Sequence, residues 1–164
     1  MKLWAERPKE EAYLLNPAFC STLLSAAVAR YAMAKKEGLP FPLAFMVLPI
    51  ILHKPTRESL PPNTRTSMAA LLQENSSARV LFYERVVSLM PYTREAIRFA
   101  MKLDRMAMQG ALLRAKVGET EINRATRKLT DEAHDCLVRA RFLGKWFAAA
   151  GPVHMVMAFW GIRP

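Results

Sequence analysis

The sequence predicts a mainly α protein with a small β part, of the α+β class. The expected plan is a helical domain with a winged-helix-like core of three helices and a β-hairpin. A long C-terminal helix and a short strand complete it. Three observations predict this. Apolar residues recur at helical spacing along most of the chain. Proline, glycine and capping residues cut that pattern into short pieces. Two short runs flanking Gly118 read as strands about a tight turn, directly after the third helix of the core. The whole of 1–164 is expected to be one domain. Residues 1–60 would form a helical docking segment, 61–128 the winged-helix-like core, and 129–164 the closing helix and strand.

The first helix is predicted over 17–36. Asn16 is a good N-cap, and Pro17 suits the first turn because its missing N–H would be an orphan there. Phe19, Leu23, Leu24, Ala27, Val28 and Tyr31 keep the helical repeat, and Gly38 stops it after Lys35 and Lys36. Residues 39–61 then read LPFPLAFMVLPIILHKPTRESLP. The apolar part is too short to span a bilayer, and its prolines would break the hydrogen bonding that lipid demands. It reads as an opening loop, LPFP, and a buried helix or strand over 43–52 that Pro49 limits. HKPTRE follows as a surfaced basic turn.

The winged-helix-like core is expected to start with a helix from 63 or 64 to 73, with Met68, Leu71 and Leu72 inward. A second helix over 78–89 would bury Val80, Leu81, Tyr83, Val86 and Val87. Pro91 separates it from a third, capped by Thr93 and running to about 109, where Gly110 ends it. Arg94, Arg98, Lys102 and Arg105 fall within about 80° of this third helix's circumference. Leu112–Val117 and Glu119–Arg124 would be the two hairpin strands. A helix over 131–150 follows, with Cys136, Leu137, Ala140, Leu143, Gly144 and Phe147 on its stripe. Gly151-Pro152 ends it, and VHMVMAFWGI reads as a last strand.

The chain has a net charge of +10, and residues 79–128 hold 11 basic and 5 acidic side chains, so +6 of it sits in the middle third. An acidic partner suits that part: nucleic acid or an acidic protein surface. Hydrophobic residues make up 52%, too many for a disordered chain. Met1–Tyr13 has no apolar signal core and carries Glu6, Glu10 and Glu11, so a cytoplasmic protein is expected. Cys20 and Cys136 sit in apolar contexts and read as two buried thiols, with a disulfide or a metal pair as the sharper alternative.

Catalytic chemistry is largely absent from the pattern. His53, His134 and His154 have no metal-ligand spacing, and Gly144-Lys145 lacks the rest of a phosphate loop. His53, Arg57 and Glu58 together suggest acid–base work, against the plainer reading of a structural turn. No catalytic residue, metal, cofactor or small-molecule substrate is expected.

Taken together, ERPKEEAYLLNPAFCSTLL, LPFPLAFMVLPIILHKPTRESLP and the closing FLGKWFAAAG and FWGIRP resemble the middle-component family of three-component ABC systems. Relatives include the Lamassu-type antiphage and antiplasmid systems. The resemblance covers about Glu6 to Pro164. It implies a non-catalytic subunit that joins an ABC ATPase of the SMC type to an effector, often a nuclease. On that reading Phe41, Phe45, His53, Lys54, Arg57 and Glu58 are the candidate partner-binding residues. Arg94, Arg98, Lys102 and Arg105, with Arg114 and Lys116 on the hairpin, are the candidate contacts to double-stranded DNA. An autonomous winged-helix DNA-binding regulator is the alternative.

Overall fold

The computed structural model describes residue 8 and residues 15–127 and 129–162. The ERPKEEAY stretch, Pro8 excepted, and the closing Arg163-Pro164, both part of the resemblance, lie outside the described residues. The protein is mainly helical with one small antiparallel sheet. In chain order the elements are α1 (Pro17–Lys35), β1 (Leu39–Pro40), α2 (Phe41–Ile51), α3 (Lys54–Ser59), α4 (Met68–Glu74), a 3-10 turn (Ser76–Arg79), α5 (Phe82–Lys102), β2 (Met106–Gln109), β3 (Leu112–Ala115), α6 (Glu119–Ala125), α7 (Asp131–Ala149) and α8 (Val153–Phe159).

Helix α1 starts as its sequence dictates. Asn16 Oδ1 accepts the Ala18 N–H at 2.8 Å, and Pro17 fills the first turn. Its end differs slightly, since Lys36 takes the left-handed conformation (φ 63°) expected of Gly38. Helix α1 packs most extensively on α7 and next on α5, and these three hold the centre of the core. Leu23, Leu24 and Ala27 of α1 and Ala140, Leu143 and Phe147 of α7 are fully buried there. Helix α2 is the apolar run itself. Eight of its residues are buried, Pro42 sits in its first turn, and Pro49 lies inside it. Burial of so many large side chains, at about 1.5–3 kcal/mol each, outweighs the hydrogen bond that Pro49 removes.

The strands pair β1–β3–β2, with Leu39 opposite Leu113 and Gln109 opposite Leu112. The hairpin is therefore not at 112–124. Its turn is Gly110-Ala111, and Gly110 has φ 59°, the backbone a two-residue hairpin turn requires. Gly118, expected at the turn, is the N-cap residue of α6. Two glycines offered two turns. The register that buries Met106 and Leu113 and gives β1 a partner decides between them.

The three expected core helices also change. Residues 82–89 of the expected second helix and 93–102 of the third belong to one continuous helix, α5, with Pro91 inside it, while Ala78 and Arg79 fall in the 3-10 turn and Met106–Gln109 is strand β2. Pro91 faces solvent, while Phe82, Val86, Thr93, Ala96, Ile97 and Ala100 keep one buried stripe across it. Packing along that stripe overrides a local cost of about 3 kcal/mol. Thr93 is not a cap: it is buried, and its hydroxyl donates to the Leu89 carbonyl at 3.1 Å. Helix α4 starts at Met68, capped by Ser67, whose hydroxyl accepts the Ala70 N–H at 3.2 Å. The tail is helix α8, not a strand, with Val156 and Trp160 buried four residues apart. Both cysteines are buried free thiols. Burial, with the Glu95 charge, pushes the Cys20 thiol up to about 12. Among the described residues no helix is long and apolar enough to cross a membrane.

Candidate functional site

Helix α5 carries the cationic candidates. Its exposed face runs Tyr83, Glu84, Val87, Ser88, Pro91, Arg94, Arg98, Met101, Lys102. The charge is divided along it: the N-terminal half has no cation here, and the C-terminal half has three and no acid. Arg94, Arg98 and Lys102 make no ion pair among the described residues. Arg105 lies beyond the helix end, in the turn to β2, where its guanidinium is 3.8 Å from the Glu121 carboxylate. Arg105 shares the stripe only if the third core helix, expected from Thr93 to about 109, continues past Lys102, where α5 ends. Arg114 points outward from β3 beside buried Leu113, as strand alternation requires. Lys116 is paired with Asp104.

Phe41 and Phe45, from the start of α2, meet edge to face with centroids 5.1 Å apart. The Arg94 guanidinium lies 6.0 Å from the Phe45 ring centroid. So one residue of the cationic set touches one of the aromatic set, a cation–π contact that holds Arg94 over the α2 surface. Both rings remain half-buried.

HKPTRE is a helix, not a surfaced turn. Pro55 fits the first turn of α3, and His53 is its N-cap. Arg57 is 3% exposed and directed inward. Its Nε donates to Asp135 Oδ2 at 2.8 Å, its Nη1 to the Ile51 carbonyl at 2.8 Å, and its Nη2 to Glu132 Oε1 at 3.0 Å. The acidic start of α7, which suits its own helix dipole, thus also receives Arg57. Lys54 and Glu58 are exposed and 3.9 Å apart. His53, Arg57 and Glu58 do not converge on one another as an acid–base trio. Each has its own partners.

The His53 ring is an acceptor. Its Nδ1 takes the Thr56 N–H at 3.4 Å and contacts Thr56 Oγ1 at 2.7 Å, with the Arg85 guanidinium also upon it. Burial and then the Arg85 charge hold its pKa below the usual histidine value. The unfolded chain therefore binds this proton more readily. Stability from His53 is complete above about pH 6.5 and is lost as pH falls through the folded value. His53→Asn keeps a capping acceptor without the titration. We expect its melting temperature to fall less than that of the unchanged chain between about pH 7 and about pH 5. Parallel melting curves would show that His53 does not report pH.

One surface was missed. Val80, Leu81, Tyr83 and Val87 were expected inside with Val86, yet only Val86 is buried. The 3-10 turn and the left-handed Leu81 (φ 53°) rotate them outward at the start of α5. Helical spacing alone could not show this, because both stripes of the helix are apolar here. With Arg79, Glu84, Trp160 and Gly161, three of them (Val80, Leu81 and Tyr83) line a shallow groove of about 480 Å³.

A family model described as ABC-three component (ABC-3C) system Middle Component 3 matches residues 4–164. No curated protein and no solved structure matches the chain.

Proposed function

The chain belongs to the ABC-three component system Middle Component 3 family, and from that premise we propose that it is a non-catalytic bridge between an SMC-type ABC ATPase and an effector nuclease in a cytoplasmic antiphage or antiplasmid complex. The chain-wide family match is the observation that carries the reading. What a bridge needs is surface for other chains. The exposed Lys54–Glu58 edge of α3 and the half-buried Phe41 and Phe45 suit a protein partner. Arg57 supports that edge from within rather than meeting the partner itself. A tagged chain should co-purify with an ATPase and an effector from its native cell. Recovery of the chain alone, folded, would oppose the bridging role.

Within this reading, the three uncompensated cations of α5 contact double-stranded DNA, with Arg114 beside them on the hairpin. Such contacts go to phosphates, so affinity should fall with salt and depend little on sequence. Arg94→Glu, Arg98→Glu and Lys102→Glu combined should weaken DNA binding by the assembled complex at least about tenfold and flatten its salt dependence. Anisotropy with labelled duplex measures both. Unchanged binding would make the face a docking surface for an acidic protein. The alternative, an autonomous DNA-binding regulator, is favoured by one observation. A strand between the first two helices joins a hairpin that follows the long helix, in the order β1–β3–β2, an arrangement a winged helix also has. DNA binding by the isolated chain, without co-purifying components, would favour it.

A further inference from the structure

Val80, Leu81, Tyr83 and Val87 are 61, 65, 60 and 46% exposed, four large apolar side chains within eight residues. Soluble chains rarely leave such a cluster to water without use. Leu81 is also held in a left-handed backbone conformation, a costly choice for a non-glycine residue whose side chain stays largely exposed. The groove beside them is bordered by Arg79 and Glu84. Neither makes an ion pair among the described residues.

We propose that this groove is a homodimer interface, occupied by the same surface of a second copy of the chain about a two-fold axis. The charges of its rim select that occupant. A partner carrying one sign of charge leaves either Arg79 or Glu84 unmatched and opposes the other. A second copy turned through a two-fold meets both: Arg79 of each copy faces Glu84 of the other, with Leu81 and Tyr83 between. The cationic half of α5 begins beyond Pro91 and stays outside the contact, so dimerisation leaves it free. The cluster is small beside the roughly 800 Å² per partner of a standard interface. The dimer is therefore weak and concentration-dependent. This inference does not rest on the bridging role, because it concerns the chain alone.

Sedimentation velocity of the full chain over a concentration series tests it, with melting curves as the check on folding. A reversible monomer–dimer equilibrium is expected. Leu81→Glu should leave a folded monomer at concentrations where the unchanged chain is dimeric. Arg79→Glu and Glu84→Arg should each weaken the dimer about tenfold or more. The two changes combined in one chain should restore it. A mixture of the two single variants should form a heterodimer, since both cross-contacts are then attractive. A chain that stays monomeric at its highest soluble concentration overturns the proposal and leaves the groove to another component of the system. A dimer indifferent to all these changes overturns it too, and places the contact elsewhere.

Discussion

Gly144→Ala should destabilise the chain more than any other loss or gain of a single methyl group. In an ordinary helix interior the change would help, since alanine is about 1 kcal/mol better than glycine. Here the sign reverses. A Cβ at position 144 would stand 2.1 Å from the Ala27 carbonyl oxygen, 2.8 Å from its carbon and 2.9 Å from its Cα. All three are backbone atoms of α1, so no side chain can swing aside. The two helices would have to separate where Leu23, Leu24, Leu143 and Phe147 are closed to solvent. Overpacking typically costs 1–3 kcal/mol even where side chains can adjust. Backbone against backbone should reach about 3 kcal/mol or more. For a chain of this size that lowers the melting temperature by roughly 6–12 °C. Lys145→Ala, one residue on and exposed, is the control and should change little. Thermal melting by circular dichroism reads both. A Gly144→Ala chain that melts with the unchanged protein would mean that α1 and α7 do not approach this closely.

That glycine shows how far the sequence could be read. The apolar stripe of α7, with Gly144 on it, is plain in the spacing, and so are α1 and its Asn16 cap. What spacing cannot show is which neighbour a residue meets. Gly144 looks like a weak point in a helix until Ala27 is placed against it. Pro91 illustrates the opposite limit. Read locally it divides two helices, and only the continuous buried stripe from Phe82 to Ala100 shows why it does not. Gly110 and Gly118 are equally good turn residues, and long-range pairing with Leu39 chose between them. The cationic residues Arg94, Arg98 and Lys102 were legible because a helix turns charge spacing directly into a face. Arg105 was not, because the end of that helix was misjudged. The apolar groove at Val80–Tyr83 was invisible because apolar residues were assumed to point inward.

Arg57→Ala should lower the melting temperature of the isolated chain rather than release a folded chain from its partners. The guanidinium is buried, and three of its N–H groups are used within the chain. Two partners are carboxylates that keep contact with water: Asp135 is 45% and Glu132 66% exposed. Once Arg57 is gone they can hydrate, so the loss stays below the roughly 3–5 kcal/mol of an orphaned buried charge. The Ile51 carbonyl is different. It belongs to a fully buried residue at the end of α2. Losing its charged donor costs on the order of 1–3 kcal/mol. Removal of the buried aliphatic stem adds to that. A total of about 2–4 kcal/mol corresponds to a fall of roughly 5–15 °C. Arg57→Lys should recover less than half, because a single ammonium cannot serve Ile51, Asp135 and Glu132 from the positions of a planar fork. Below its melting point the Arg57→Ala chain should still co-purify with its partners, per folded molecule, as well as the unchanged chain does. Unchanged melting with loss of co-purification would be the reverse result. It would show that Arg57 serves a partner and that its contacts with Asp135, Glu132 and Ile51 are dispensable to the fold.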